Sequence, residues 1–422
     1  MSDSAIVNVT SVRSLGERAR AASAILAQTP GAVRRTALLE MADALDANLE
    51  RLVAVNAEDV EAARGTMTKA LVDRLTLTPS RLADMSGGLR TITEQPDPVG
   101  EVVEEWTRPN GLKIQKIRRP IGVVSVIYEA RPNVTADVAG LCIMSGNAVL
   151  LRGSSSALRT NVCITGILVE AATAAGLPEN AIQLVEDTSR ESAVELMQLK
   201  GLVDLLIPRG GPALIASIEE NATVPYIIDG DGNCHVYVDR AADPEMATNI
   251  IVNAKTSKPS VCNAAEKLVV HADLAGSWLP VALGALTAKG VEIRGDEAVQ
   301  KLWPSAVPAT DDDWGTEYLD LVLAVKVVAG IDEAIDHVNR WGTSNAEAIV
   351  TEDVAAAQMF TKRVDSGTVF VNASTRFSDG GQFGYGAEIG ISTQKLHARG
   401  PLGLRELTSS GYVVWGTGQV RT

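Results

Sequence analysis

The sequence has no Cys-x-x-Cys pair; its four cysteines, Cys142, Cys163, Cys234 and Cys262, are scattered. Neither a disulfide framework nor a zinc site is expected from that spacing, and no metal is expected. None of the four histidines lies within eight residues of Cys262, so a Cys–His pair could arise only through tertiary proximity. There is no run of five or more basic residues, and the formal net charge is −14. That balance argues against a nucleic-acid surface. An anionic ligand must then be met by cations gathered locally. No apolar stretch approaches the roughly eighteen residues of a membrane span. No apolar signal core follows Met1-Ser2-Asp3. A reduced, cytoplasmic setting is expected. There is no GxGxxG, no internal repeat and no low-complexity segment.

What is present is ordinary globular composition, 46% hydrophobic and 21% charged over 422 residues. That length exceeds one ordinary core, so two or three domains are expected. From Val12 to Glu94 the pattern is helical. Leu38, Leu39, Met41, Ala42, Leu45, Leu49, Leu52 and Val53 recur at three-to-four spacing as a core stripe. Pro96-Asp97-Pro98 breaks it. Asn110-Gly111 then predicts a two-residue hairpin turn. A lone ribbon is unstable. Its host is either a neighbouring subunit or another part of its own chain.

From Pro120 to Ile228 strand-like and helix-like runs alternate, the pattern of a parallel sheet with helices on both faces. The predicted strands are 122–128, 148–152, 182–185, 202–207 and 224–228. Ligands of such sheets bind at the carboxyl ends of strands. The turns there are Glu129-Ala-Arg-Pro-Asn133, Arg152-Gly-Ser-Ser-Ser156 and Pro208-Arg-Gly-Gly-Pro212. All three are rich in arginines, hydroxyls and glycines that hold anions. A second alternating block runs from Cys234 to Val371, with one helix predicted over 274–288.

Cys262 lies near the start of that block, in Lys255-Thr-Ser-Lys-Pro-Ser-Val-Cys-Asn263. A thiol on a connection between a helix and a strand can be presented to a cleft. Lys255 and Lys258 would favour the nucleophilic thiolate. The bland alternative is a small buried hydrophobe.

The stretches Val126-Ile-Tyr-Glu-Ala-Arg-Pro-Asn133, Ser145-Gly-Asn-Ala-Val-Leu-Leu-Arg-Gly153, Ile207-Pro-Arg-Gly-Gly211, Asp231-Gly-Asn-Cys-His235, Pro259-Ser-Val-Cys-Asn263, Trp314-Gly-Thr-Glu-Tyr318 and Phe370-Val-Asn-Ala-Ser-Thr-Arg-Phe377 together resemble the aldehyde dehydrogenase superfamily. The resemblance spans most of the chain from about 118 to 407. It implies an α/β architecture with a Rossmann-like cofactor domain, an α/β catalytic domain and an oligomerisation β-hairpin. The expected boundaries are 1–103 and 121–228, with part of 365–396, for NADPH binding. They are 229–364 for catalysis, and 104–120 with 397–422 for the ribbon.

Within the superfamily the match is to the branch that reduces L-glutamyl 5-phosphate to L-glutamate 5-semialdehyde in proline synthesis, with NADPH as cofactor. The resemblance implies that Cys262 forms a thioacyl intermediate. An oxyanion donor is expected from the turn 129–133; Asn133 is preferred and Arg131 stays open. Asn133 is equally readable as a helix N-cap. Arg152, Ser154 and Ser155 are expected at the adenosine ribose, Gly210 and Gly211 at the pyrophosphate, and Glu317 at the nicotinamide ribose. Glu317 is also readable as a solvated loop acid. Arg131, Lys255, Lys258, Ser374, Thr375 and Arg376 are candidates for the substrate's charged groups. Asp229 takes the place of the glutamate that activates water in aldehyde-oxidising relatives. A homo-oligomer, dimer or tetramer, is expected, with transient contact to glutamate 5-kinase. Two alternatives remain: an acylating dehydrogenase using coenzyme A, and a non-catalytic binding module on the same fold.

Overall fold

The computed structural model describes residues 10–421 apart from Asp229. By contact density they form two compact units. One comprises residues up to Ile228 with Gly384–Gly390 and the stretch from Leu402 onward; the other comprises Gly230–Phe383 and Ile391–Pro401. Of the range 365–396, Gly384–Gly390 thus lies with the first unit, while 365–383 and 391–396 lie with the second. The cause is a strand pairing described below.

The first unit opens with helices Val12–Leu26, Gly31–Ala47, Leu49–Ala63, Lys69–Leu75 and Pro79–Glu94. The predicted stripe is real but interrupted. Leu38, Met41, Ala42, Leu45 and Leu52 are buried. A break at Asn48 changes the helix phase, and Leu39 is 40% exposed.

A hairpin follows, β1 (Val102–Thr107) and β2 (Lys113–Pro120). Its loop holds three residues, Pro109–Gly111, rather than the predicted two. The Arg108 N–H donates to the Leu112 carbonyl at 2.8 Å, and the Gly111 N–H to the Arg108 carbonyl at 2.9 Å. Pro109 suits the second position of a type I turn, and Gly111 then takes φ +86°. Proline shifts the loop by one residue relative to a bare Asn-Gly turn.

Four parallel strands come next: β3 (Val123–Tyr128), β4 (Ala148–Arg152), β5 (Ile182–Leu184) and β6 (Leu205–Arg209), in the order β5-β4-β3-β6. Helix Val12–Leu26 covers one face, sharing a core with Val123, Ile127, Leu150 and Leu206. The strand predicted over 224–228 is reduced to a single bridge between Leu206 and Tyr226. Pro225 supplies a carbonyl to the Leu206 N–H but has no N–H of its own to extend a ladder.

The second unit is built on a seven-stranded sheet. Its strands are β7 (Cys234–Val238), β8 (Ala265–His271), β9 (Glu292–Gly295), β10 (Val307–Pro308), β11 (Val322–Val328), β12 (Ala346–Val350) and β13 (Thr368–Val371). The order is β10-β9-β11-β8-β7-β12-β13, and every pairing is parallel. The β12–β13 pairing is what carries residues 368–371 into this unit. Alternate residues feed two cores. Val236, Val238, Leu268 and Val270 face helices Pro244–Thr256 and Leu279–Thr287; Tyr237, Val269 and Ile349 pack with Ile335 and Phe360. The helix predicted over 274–288 is split into Ala272–Ala275 and Leu279–Thr287. Pro280 can open a helix but cannot continue one. A short pair, β14 (Ile391–Ser392) and β15 (Gly400–Pro401), completes the unit.

The chain then returns to the first unit as β16 (Thr408–Trp415), which pairs with β2 along its whole length. The order β1-β2-β16 makes β2 central. Within the chain β2 thus has a partner on each side, β1 and β16.

Candidate functional site

In the first unit, β3 runs on to β4 and β5 in one direction while β6 lies on the other side of β3. The sheet's switch point therefore falls between β3 and β6, where ligand crevices form at the carboxyl edge. The turns 129–133 and 208–212 flank it. They are joined there: the Glu129 N–H donates to the Arg209 carbonyl at 3.1 Å. Glu129 Oε2 accepts from the Gly211 N–H at 3.1 Å. A Cβ on Gly210 would lie 2.8 Å from the Glu129 carboxyl carbon. The glycine backbone expected at a pyrophosphate is here engaged by a carboxylate, a residue sequence reasoning passed over.

Asn133 is the first residue of helix Asn133–Met144, and Pro132 occupies the cap, so the N-cap reading of Asn133 does not hold. The Asn133 amide is exposed and donates to Asp137 Oδ2 at 3.0 Å. Burial pushes the Asp137 carboxyl up to about 6 against the opposing pull of Asn133 and Arg209. Arg131 lies in the preceding turn, its carbonyl accepting from the Val134 N–H at 3.0 Å. Arg152, at the end of β4, donates through Nη2 to the carbonyls of Thr188 and Ser189, both at 2.8 Å. Its Nε is buried without a hydrogen-bond partner. Ser154 and Ser156 share a bond at 2.7 Å between hydroxyls, and Ser155 opens a 3₁₀ turn.

In the second unit the groups of interest gather at the opposite kind of edge. Because the strands are parallel, the segments entering β7, β8, β11, β12 and β13 all emerge at the amino edge. Asp231–Asn233 precedes β7, Cys262 precedes β8, and Glu317 precedes β11.

Cys262 is half-buried. Its backbone is gripped from several sides. The Cys234 thiol donates to the Cys262 carbonyl at 3.2 Å. Burial first, then Glu347 and Cys262, hold that thiol far above its ordinary pKa, so it stays a neutral donor. Gly232 lies against the same carbonyl: a Cβ there would sit 1.5 Å from the oxygen. The Asn263 carbonyl accepts from Thr375 Oγ1 at 2.7 Å, and Asn263 Nδ2 donates to the Ser378 carbonyl at 2.8 Å. Arg376 Nη1 bonds Asn263 Oδ1, and its Nε reaches Ser257 Oγ at 3.2 Å. Ser374 caps the short helix Thr375–Phe377 by accepting from the Arg376 N–H at 3.3 Å. Ser374, Thr375 and Arg376, expected at substrate, thus brace the cysteine's turn. Thr375 is fully buried in doing so.

Lys255 requires a correction. It is fully buried, and its Nζ pairs with Glu266 Oε2 at 2.9 Å. An ammonium sealed inside against a buried carboxylate does not meet substrate. Removing one partner of such a pair costs about 3–5 kcal/mol. Lys258 is exposed.

Glu317 is half-buried rather than a solvated loop acid. Its Oε1 accepts from the Gly232 N–H at 2.8 Å. Burial pushes its carboxyl up to about 7; Asp231 and Glu266 add to the shift, while Gly232 and Lys267 oppose it. The raised pKa means the folded state favours the protonated acid. Its contribution to stability is full below the unfolded value near 4.5 and fades as pH rises through about 7. Asp229 lies outside the described residues. No group of three or more metal-binding side chains occurs among the described residues. None of their helices is long and apolar enough to cross a membrane.

The sequence profile described as the aldehyde dehydrogenase family matches residues 4–298 and 306–394. A curated gamma-glutamyl phosphate reductase of Caldanaerobacter subterraneus is 53% identical over 406 residues, covering 96% of this chain and 98% of the relative. That of Thermobifida fusca is 54% identical over 411 residues, covering 97% and 98%. The crystal structure of gamma-glutamyl phosphate reductase from Thermotoga maritima superposes with a TM-score of 0.95 at 45% identity, covering 98% of this chain and 100% of that one. The chain belongs to the aldehyde dehydrogenase family.

Proposed function

We propose that this protein reduces L-glutamyl 5-phosphate to L-glutamate 5-semialdehyde and phosphate, using NADPH, in proline synthesis. The observation that carries the reading is the turn at Cys262: a half-buried thiol whose carbonyl and following residue are fixed on every side while the sulfur's own residue stays partly open. Relatives at 53–54% identity over nearly the whole chain carry the reductase name.

The Cys262 thiolate attacks the acyl carbon, and the C–O bond to phosphate breaks with its electron pair leaving on phosphate. The product is a thioester, whose carbonyl stays electrophilic. NADPH, when bound, supplies the hydride that reduces this carbon. The tetrahedral oxyanion needs N–H donors. The backbone N–H of Cys262 is the first, and Asn133 is the assigned side chain, with Arg131 the alternative. The residues fit a dinucleotide. Arg152 keeps a buried Nε without a hydrogen-bond partner, and Ser154 and Ser155 follow it in the turn after β4. Gly210 and Gly211 lie at the switch point, and Glu317 suits ribose hydroxyls. Substrate charge is assigned to Arg131 and Arg376. Trp106, Tyr412, Val414 and Trp415 are exposed on the β1-β2-β16 ribbon and support self-association there, in the cytoplasm.

The test is the reverse reaction. Purified protein with glutamate 5-semialdehyde should reduce NADP⁺ only when inorganic phosphate is added. Dependence on coenzyme A instead of phosphate would replace this reading with an acylating one. Arg152→Ala should shift preference from NADPH toward NADH by about tenfold, the loss of one charge-assisted contact. An unchanged ratio of kcat/KM values removes Arg152 from the cofactor site.

A further inference from the structure

Four consecutive residues before β11 are each tied to a different anchor. The Thr316 carbonyl accepts from Lys267 Nζ at 2.7 Å. Glu317 accepts from the Gly232 N–H at 2.8 Å. The Tyr318 hydroxyl donates to Asp313 Oδ1 at 2.7 Å, and its ring centroid lies 4.6 Å from Lys267 Nζ. The Leu319 N–H donates to Glu266 Oε1 at 3.2 Å. Leu319 has φ +55°, a region a branched side chain rarely adopts, so this loop holds its path only because its neighbours impose it.

Two of the four anchors are adjacent residues of one strand. Glu266 and Lys267 are the second and third residues of β8, four and five beyond Cys262, and both are fully buried. Adjacent strand residues point to opposite faces. Here they grip the loop at its two ends, with Glu317 between. Glu266 has two tasks: Oε1 holds Leu319, while Oε2 takes the Lys255 ammonium. Lys255 thus neutralises a carboxylate that would otherwise be costly to bury. The apolar character of β8 explains none of this, nor does the attack at Cys262 use either side chain.

We propose that Glu266 and Lys267 are positioning residues that bracket the loop carrying Glu317 and so fix that carboxylate for the nicotinamide ribose. The bracket rests on the NADPH reading above, because it acts through the ribose contact assigned to Glu317. It also makes one short strand answer for two things: where the nucleophile sits, and where the ribose-binding carboxylate sits relative to it. Gly232 joins the same assembly, donating its N–H to Glu317 while its Cα rests on the Cys262 carbonyl.

The experiment uses the full-length enzyme and three variants: Glu266→Gln, Lys267→Met, and the double variant Glu266→Gln/Lys255→Gln. NADPH affinity is read by calorimetry, KM and kcat by turnover, and Cys262 reactivity by iodoacetamide alkylation without nucleotide. Thermal melts confirm folding. Glu266→Gln strands a buried ammonium and slackens the loop. It should raise the Kd and KM for NADPH about tenfold, the size of one hydrogen bond to a charged group, with alkylation changed less than twofold. Lys267→Met should do the same. In Glu266→Gln the stranded Lys255 ammonium draws the single amide oxygen away from the Leu319 N–H; in the double variant a neutral Gln–Gln pair releases that oxygen to Leu319. Its NADPH affinity should return to within about threefold of the parent, which a generally damaged fold would not do.

Parent-like NADPH affinity in a folded Glu266→Gln overturns the proposal. So does a loss seen only in kcat and alkylation, or a double variant no better than the single one. If the parent itself binds no nicotinamide nucleotide, the functional reading fails first and the bracket falls with it. If the parent binds NADPH and every variant binds it equally, the bracket alone is wrong.

Discussion

Cys262→Ala should fold like the parent and lose at least about a thousandfold in phosphate-dependent NADP⁺ reduction. The expectation follows from how the turn is built. Its anchors run through the Cys262 carbonyl, held by Cys234 and Gly232, and through Asn263, held by Thr375 and Ser378. Those groups survive truncation of the side chain. The residue is half-buried, so its loss opens no sealed cavity. The melting temperature should stay within about 2 °C of the parent. What disappears, on the proposed mechanism, is the sulfur that carries the acyl group between phosphate release and reduction. Cys262→Ser should be nearly as poor, since a hydroxyl lacks the thiol's nucleophilicity at neutral pH. Turnover within tenfold of the parent, in a folded Cys262→Ala, would end the thioacyl account. A lost activity with a lost fold is distinguished from this by the melt.

The second large effect belongs to a residue with no side chain. Gly232→Ala should cut kcat by about a hundredfold. The glycine is not required by its backbone angles, which lie outside the left-handed region. It is required by contact alone. The added methyl would stand 1.5 Å from the Cys262 carbonyl oxygen and 2.5 Å from its Cα, so it meets main chain and not the yielding end of a side chain. Either segment must retreat. A displacement of about 1 Å at a reacting group costs on the order of a hundredfold in rate. The same shift carries away the N–H that Glu317 accepts from, so NADPH affinity should fall as well. Steady-state kinetics beside a thermal melt reads both. A variant with parent-like kcat would mean that the shelf under Cys262 is compliant and that the close packing has no role in placing the sulfur.

These two positions also show what was legible in the sequence. Cys262 could be singled out because a lone thiol between a polar run and an apolar strand is an unusual local pattern. The strand β4 fell where alternation and turn residues put it, over 148–152. Local chemistry determines such elements, so a local reading finds them. Gly232 stood in a matching stretch but gave no sign of its role, because the atom it must avoid is thirty residues away.

Lys255 misled for a related reason. Within a run containing Lys258 and several hydroxyls it looked like surface charge aimed at a ligand. Its carboxylate partner, Glu266, stands eleven residues on, inside an apolar strand whose local pattern gives no sign of the pairing. Thr375 and Arg376 reach back to Asn263 over more than a hundred residues. A hydroxyl that braces a loop and one that holds a substrate are the same residue type in a sequence; only the partner differs. The switch from carboxyl edge in the first sheet to amino edge in the second was equally hidden, since it depends on which loops the parallel pairing collects.

The return of the chain to β2 has a consequence for synthesis. β2 emerges early, with β1 on one side and an open row of backbone groups on the other. The strand that closes that side, β16, arrives about three hundred residues later. Throughout that interval the nascent protein carries an unpaired edge flanked by valine and tryptophan, the kind of surface that captures another chain. Glu104 and Glu105 on β1, paired across the hairpin with Lys116 and Lys113 on β2, then serve as guards. They keep the waiting ribbon soluble until its own tail comes to claim it.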